Sequence, residues 1–297
     1  MSITQNGYHY KFMARIYGSS IEKAPLNGGI IGVGNAVSKG GGCITGFTSS
    51  GNFCSSSTTR MVETFFIGGG GGGASNTFAG RGGGGGGLAK RNVVVDASTQ
   101  YPIVVGGGGA ASSSAPPAAY GSDGTDGVNT TGFGVIGDST KSKAVANGAT
   151  AGSSGAIGNL PYVRGTGNGG GAGAGGSGAP GTCNCGGDGG AGAPSTFSGS
   201  DVNYGGGGGA GSNNANDHRA SGTDGGSPGA TRSANSGSST ANRGGGGGGF
   251  RSGFFCGSYR ASSAGSSGIA FVKELDIATG RWPISAQFRG KKAGIWT

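Results

Sequence analysis

The stretch RMVETFFIGGGGGGASNTFAGRGGGGGGLAKRNVVV, residues 60–95, decides the fold of this chain. It holds two runs of six glycines, and each run adjoins apolar residues of the kind that form β-strands: Phe65 to Ile67 precede the first run, and Val93 to Val95 follow the second. A flexible spacer needs no such anchors. We therefore expect the glycines to be an ordered part of the structure.

The composition excludes several ordinary classes of protein. Glycine makes up 78 of 297 residues, against a usual share of about 7%, and only 33% of the chain is hydrophobic. Disordered chains depend on charge to stay solvated, whereas here only 11% of residues are charged and the apolar residues are clustered in runs. Collagen is excluded because the chain has only 9 prolines and its glycines keep no single three-residue phase.

Polyproline II geometry explains what the glycines can do. This helix has three residues per turn and no internal hydrogen bonds, so its backbone N–H and C=O groups point outward. Several such helices side by side can satisfy one another, provided that no side chain separates them. The sequence therefore predicts a chain that is mainly β, with packed polyglycine/polyproline II helices. Almost no α-helix is expected, because each glycine costs a helix about 1 kcal/mol relative to alanine.

The distribution of glycine predicts three regions. Residues 1–67 are expected to be a β-rich attachment region, residues 68–268 a polyglycine II-type glycine-rich domain, and residues 269–297 C-terminal β-strands. Within the glycine-rich part, the apolar runs 90–96 and 101–106 are separated by a short polar turn and predict a β-hairpin.

Charge and hydropathy bear on partners and location. The net charge of +9 comes from 21 Lys and Arg that are spread thinly, without the block of like charge that marks a nucleic-acid-binding tail. Binding to nucleic acid is therefore not expected. Insertion into a membrane is not expected either, because no stretch approaches the 18 apolar residues of a membrane span. The N-terminus lacks the pattern of a signal peptide, which predicts synthesis in the cytoplasm without general secretion.

Metal binding and catalysis have little support in the residue types. Cys183 and Cys185 are too close for a zinc knuckle, and the two histidines, His9 and His218, lie far apart, so no metal or other cofactor is expected. The cysteines are either free thiols or disulfide partners, and Cys43 and Cys54 form a candidate pair because they flank a short loop. No spacing suggests a catalytic triad or a paired-carboxylate site, so we expect no enzyme.

Candidate binding residues are tyrosines and arginines in the segments between glycine tracts. Glycine helices present no side chains, so specificity has to come from the loops, and Tyr and Arg are frequent anchors of binding sites. Within the loops 111–164 and 250–260, the candidate receptor-binding residues are Tyr162, Arg164, Arg251, Tyr259 and Arg260. Phe254 and Phe255 lie in the second loop, where they either take part in binding or pack on the closing strand, residues 269–275.

The order of these elements resembles a known family over roughly residues 60–275. The pattern runs from ETFFIGGGGGG and GRGGGGGGLA through QYPIVVGGGGA, YGGGGGAG and NRGGGGGGF to the closing strand SGIAFVKEL. It resembles the glycine-rich domain of tailed-bacteriophage tail proteins and is similar in kind to the polyglycine-sandwich adhesins of long tail fibres.

This resemblance implies a virion protein of the tail, made in the host cytoplasm, that recognises the host surface or builds the fibre. The implied partners are other tail proteins and a host cell-surface glycan or outer-membrane protein, with a homotrimer or attachment to a trimeric fibre. A purely structural virion protein of the baseplate, neck or capsid surface is the first alternative. A polyglycine-type ice-binding protein is the second.

Overall fold

A computed structural model describes residues 44–56, 59, 61–76, 80–112, 123–137, 171, 173–181, 185–212, 219–231, 233–251 and 260–275, and the backbone of three short segments, 3–5, 8–10 and 36–38. The side chains of Asn76 and Arg251 are outside this description. The described residues form strands and extended tracts and no helix. For this described part of the chain, the prediction of a strand-rich structure with almost no α-helix is therefore confirmed.

The described residues contain fifteen strands, most of them short. They are β1 (Ile3–Gln5), β2 (Tyr8–Tyr10), β3 (Ala36–Ser38), β4 (Ile44–Phe47), β5 (Gly51–Cys54), β6 (Met61–Ile67), β7 (Ser75–Asn76), β8 (Leu88–Val94), β9 (Gln100–Ile103), β10 (Thr130–Gly132), β11 (Val135–Gly137), β12 (Ala193–Ser195), β13 (Val202–Tyr204), β14 (Phe250–Arg251) and β15 (Ile269–Leu275).

The largest sheet has five strands in the order β3-β4-β15-β6-β8, and all its neighbours are antiparallel. The central pair, β6 and β15, is registered over all seven residues, from Ile67 opposite Ile269 to Met61 opposite Leu275. The sheet takes strands from each of the three predicted regions. The last strand before the glycine tracts, β6, and the strand that follows them, β15, therefore lie side by side.

Both faces of the sheet are covered by apolar side chains. Alternation along β6 sends Val62 and Phe66 to one face, which contacts β5 and β9, and sends Phe65 and Ile67 to the other. On the second face, Phe65 stacks on Phe197 with ring centroids 5.4 Å apart. The two clusters supply the conventional hydrophobic core of the molecule, and both lie beside the ends of the glycine tracts.

The predicted hairpin of residues 90–96 and 101–106 is wrong in its pairing. Both segments form strands, but β8 pairs with β6 and β9 pairs with β5. The chain turns between them because the Ser55 hydroxyl donates to Asp96 O at 2.6 Å and accepts from Thr99 N at 2.9 Å. Val95, only 3% exposed, is buried where the chain passes from one sheet to the other.

The tract 68–74 donates its hydrogen bonds in a repeat of three. All seven N–H groups find carbonyl acceptors, with N···O distances between 2.9 and 3.2 Å. Successive residues donate to three different neighbouring segments, and every third residue donates to the same segment. Residues 68, 71 and 74 donate to 87, 84 and 81, residues 69 and 72 to 128 and 125, and residues 70 and 73 to 266 and 263, respectively.

The tract 205–212 is buried along its whole length and bonds with segments on all sides. Its N–H groups donate to three neighbouring segments, and every third residue donates to the same segment. Residues 207 and 210 donate to 190 and 187, residues 208 and 211 to 83 and 80, and residues 209 and 212 to 227 and 230, respectively. Its carbonyls accept from three more: 205 and 208 from 174 and 171, 206 and 209 from 246 and 249, and 207 from 223. The tract is therefore surrounded by backbone rather than by apolar side chains.

The register of each strand pair continues into the glycine tracts without a slip. Ile67 lies opposite Leu88 in the sheet, and beyond it Gly68 donates to Gly87 and Gly71 to Gly84. The same continuity holds at three further junctions, where the backbone N–H of the first residue donates to the carbonyl of the second. The pairing of β6 with β15 continues into the bonds 70–266 and 73–263. The pairing of β12 with β13 continues into 207–190 and 210–187, and the Val104–Thr131 bridge continues into 128–107 and 125–110. The strands thus align the glycines.

Close approach of backbones explains why the tracts are glycine. A Cβ on Gly207 would collide with the carbonyl oxygen of Gly171, and one on Gly208 with that of Gly247. At the junction after β13 the backbone adds a second requirement, because Gly205 has a φ of +72°, which other residues rarely adopt. At these glycines the neighbouring backbone leaves no room for a side chain.

Serine hydroxyls satisfy donors that no carbonyl reaches. Gly245 N–H donates to Ser266 Oγ at 2.7 Å, and Gly248 N–H donates to Ser227 Oγ at 2.6 Å and to Ser263 Oγ at 2.8 Å. Ser227 is fully buried and Ser266 is 5% exposed. The same residues also bond through the backbone, since Gly245 O accepts from Ser266 N at 2.8 Å and Gly248 O accepts from Ser263 N at 3.0 Å. The hydroxyls complete the hydrogen bonding that a buried backbone requires.

Candidate functional site

A half-open depression lies between the five-stranded sheet and the β12–β13 hairpin. Its volume is about 390 Å³. The sheet contributes residues of β4, β6, β8 and β15, and the hairpin contributes its first strand and its turn. The lining residues are Ile44, Glu63, Phe65, Leu88, Lys90, Pro194, Ser195, Thr196, Phe197, Asp201 and Lys273.

Sheet register and the hairpin turn bring charged groups to this depression. Glu63 and Lys273 face each other across the β6/β15 pair, yet Glu63 Oε1 binds Lys90 Nζ at 2.9 Å, and the side chains of Lys90 and Glu63 are 57% and 19% exposed. The Lys90 ammonium also lies 5.4 Å from the centre of the Phe197 ring, within cation–π range. An exposed pair of this kind contributes at most about 1 kcal/mol to stability.

Two further charges at the depression are uncommitted among the described residues. Asp201 is exposed beside the hairpin turn, and Lys273 is half-buried on β15. Together with the Ser195 and Thr196 hydroxyls, they offer a carboxylate, an ammonium and hydroxyls beside an aromatic ring. This arrangement suits binding of a polar or charged group, because a concave site with a few polar groups can orient a ligand.

Most of the sequence-predicted site residues lie outside the described residues. Tyr162, Arg164 and Tyr259 do so entirely, and Arg251 is described only by its backbone, which pairs with Asn76 in the β7/β14 bridge. Arg260 is half-exposed at the start of the 260–268 tract. Arg260 is not among the residues that line the depression, and the role of all five stays a prediction.

The predicted disulfide has one described partner. Cys54 ends β5, where it lies opposite Gln100 of β9. Cys43 lies outside the described residues, so the pairing stays a prediction.

Metal ligands and membrane spans are absent from the described part of the chain. No group of three or more His, Cys, Asp or Glu side chains within it is placed to hold a metal ion. Nor does any helix there have the length and hydropathy to cross a bilayer.

Comparison with known protein families identifies the fold unit. A model of a family described as a glycine-rich domain matches residues 48–274. The chain belongs to this glycine-rich domain family. The matched residues run from just after β4 almost to the end of β15, so they include β6, β8 and every described tract. No curated protein matches the chain.

Sequence reasoning missed the depression of this glycine-rich domain. The sequence analysis assigns no strands to residues 193–204, whereas they form a hairpin that places Phe197 on the sheet. A signal was present: Phe197, Val202 and Tyr204 are apolar or aromatic positions inside a glycine-rich region, and the SGSD turn of residues 198–201 between them carries Gly199. Lys90 and Lys273 had no such signal, because only sheet pairing brings them together.

Proposed function

We infer that the glycine tracts are polyglycine II helices packed side by side. The supporting observation is the three-residue repeat of hydrogen-bond partners in the tracts 68–74 and 205–212. A strand addresses two neighbours at a repeat of two, whereas a helix with three residues per turn addresses three directions in rotation. The six neighbours around 205–212 fit a hexagonal arrangement in which some helices run parallel and others antiparallel.

We propose that the chain is a tail protein of a tailed bacteriophage, located in the virion and serving as a rigid scaffold that presents loops. The observation that carries this proposal is the buried array itself, because interior glycines present no side chains and leave the turns and rim for contacts. The resemblance to phage glycine-rich domains supplies the setting. Host recognition through the loops 111–164 and 250–260, with fibre assembly, is the proposed task.

The proposed partners follow from the same setting. They are other tail proteins, a trimeric fibre or two further copies of the chain, and a host surface glycan or outer-membrane protein. We propose binding rather than catalysis at the depression as well. Its carboxylates favour this role, since Glu63 is bound to Lys90 and Asp201 lies exposed instead of being held against a nucleophile or base.

A purely structural role in the virion is the second candidate. The observation that favours it is the continuity of hydrogen bonding from sheet to tracts, which gives a stiff body whether or not a loop binds a receptor.

Labelling of intact virions tests the proposal. Antibodies against the purified chain should decorate the tail in electron micrographs of the phage that encodes it, and their absence from every virion would contradict the proposal.

Competition with phage adsorption then separates the two candidates. The purified chain should block adsorption if it recognises the host, and the double variant Tyr162→Ala with Arg164→Ala should block it at least about tenfold less. Equal blocking by both chains would favour recognition elsewhere, and no blocking by either would favour the structural role.

A further inference from the structure

The outer edge of β8 is an open strand edge in the described structure. β8 is the last strand of the five-stranded sheet, and all seven of its residues, Leu88–Val94, pair with β6 on the inner side. No described strand pairs with it on the outer side. Such an edge presents unpaired N–H and C=O groups that can template another strand.

Register shows which backbone groups face outward. Gly68 N–H donates to Gly87 O, and this pair lies in the register that β6 and β8 share. In an antiparallel pair every second residue is hydrogen-bonded to the partner strand, so the residues two, four and six positions beyond Gly87 bond with β6. Those residues are Ala89, Arg91 and Val93. The alternate residues direct their amides and carbonyls to the open edge, and they are Leu88, Lys90, Asn92 and Val94.

The same four residues lie on the sheet face that bears the depression. Leu88 and Lys90 line it, and its far wall is the β12 strand with Pro194. Leu88 and Val94, at the two ends of β8, are 38% and 76% exposed, which is high for apolar residues. A strand added to β8 would cover these apolar ends and direct alternate side chains toward the depression, which is the usual geometry of strand addition.

Charge on the edge indicates the kind of strand that fits. Lys90 and Arg91 occupy the centre of β8, and Arg91 is exposed. Antiparallel pairing of β8 with a second copy of itself, centred on either residue, would set like charges opposite each other, which is destabilising. An acidic strand would instead meet complementary charge, from Lys90 on the depression face and from Arg91 on the opposite face, and the chain as a whole carries a net charge of +9.

We propose that the β8 edge and the adjoining depression bind an acidic, extended segment of a different polypeptide by strand addition. Backbone hydrogen bonds to Leu88, Lys90, Asn92 and Val94 supply affinity, and Lys90 and Arg91 select two adjacent acidic residues, one on each face of the added strand. Lys90 and Arg91 thus prevent self-association of the edge and specify its partner. The site does not depend on the phage setting, because it follows from sheet order, register and charge alone.

Peptide binding to the full chain tests this proposal. The probe is a fluorescein-labelled nine-residue peptide of valine and threonine with two adjacent glutamates at its centre, and the control peptide carries lysine in place of glutamate. We expect the acidic peptide to bind at least about tenfold more tightly than the control by fluorescence anisotropy. Bound peptide should also slow amide exchange of Leu88, Lys90, Asn92 and Val94.

Three variants make the test specific to the edge. Asn92→Pro removes an outward amide and leaves the bonds to β6, since proline is tolerated where the missing N–H faces away from the sheet. Arg91→Glu reverses the central charge. Each should weaken acidic-peptide binding at least about tenfold with a melting temperature close to that of the parent chain. Arg81→Glu, a charge reversal at a half-buried residue of the tract 80–87, is the matched control and should leave affinity within about twofold.

Two outcomes would overturn the proposal. If the outward amides of β8 are already as protected from exchange in the free chain as the amides of β6, another part of the chain covers the edge. If the acidic peptide binds Asn92→Pro and Arg91→Glu as tightly as the parent chain, it binds elsewhere through general charge attraction.

Discussion

At the residue scale, glycine acts here by the atom it lacks. Where two tracts meet, a Cβ on one would lie inside the carbonyl oxygen of the other, as at Gly207 against Gly171. Not every glycine is held this way. Gly107 and Gly109 lie two residues apart in the same tract, yet a Cβ on Gly107 would meet nothing within 4 Å, whereas one on Gly109 would collide with Thr125 O.

This pair gives a matched prediction. Gly109→Ala should lower the free energy of unfolding by about 3 kcal/mol or more, because Gly109 is buried and the clashing atoms are backbone that cannot rotate away. Gly107→Ala should stabilise the fold by about 0.5 kcal/mol, because alanine restricts the unfolded chain and the folded site has room. Urea unfolding of both variants measures the difference. Similar losses of stability in the two would mean that the tracts do not pack as described.

At the element scale, strand pairs set the register of the tracts that follow them. This is why apolar segments flank the glycines, as the sequence suggested: Phe65 to Ile67 are buried in the sheet, and Gly68 continues the pairing of Ile67. A glycine tract alone has no side chains to specify its register. The sheet supplies this information at one end and leaves the tract only one way to pair.

The three-residue repeat predicts how insertions behave. A single glycine inserted between Gly70 and Gly71 rotates the following donors by a third of a turn, so each N–H faces the wrong neighbour. Three inserted glycines restore the phase and displace the tract by one turn. We expect the single insertion to lower the melting temperature more than the triple insertion, as measured by circular dichroism.

The control for these insertions is one glycine added at Gly199, in the exposed turn of the β12–β13 hairpin, where only a small change is expected. A single insertion in the tract that proves no worse than the triple one would contradict a helical repeat of three.

The sequence predicted the strand-rich class and the strands β6, β8, β9 and β15, because their apolar runs are distinct from the glycines around them. It did not predict that β8 pairs with β6 and β9 with β5, since local turn residues suggested a hairpin and the long-range contacts of Val95 and Ser55 are invisible in the chain order. The depression could not be predicted, because Glu63, Lys90 and Asp201 meet only after three separate segments assemble.

At the scale of the whole molecule, the glycine-rich domain has two stabilising parts of different kinds. Apolar clusters around Phe66 and around Phe65 hold the sheet, while the array is held by backbone hydrogen bonds between segments far apart in sequence, such as Gly73 with Ser263. Each buried donor left without a partner costs about 1–3 kcal/mol. Loss of one tract therefore orphans the donors of its neighbours, and we expect the sheet and the array to unfold together.

Residue-resolved amide exchange tests the central claim, that the glycine tracts are an ordered, hydrogen-bonded array aligned by the sheet. In the native chain, the amides of 68–73, 207–211 and 246–249 should exchange as slowly as those of Phe65 and Phe66 in β6, within about 1–2 kcal/mol of opening free energy. The exposed turn 198–200 should exchange much faster. Exchange of the tract amides at the rate of an unstructured chain, with β6 still protected, would contradict the claim.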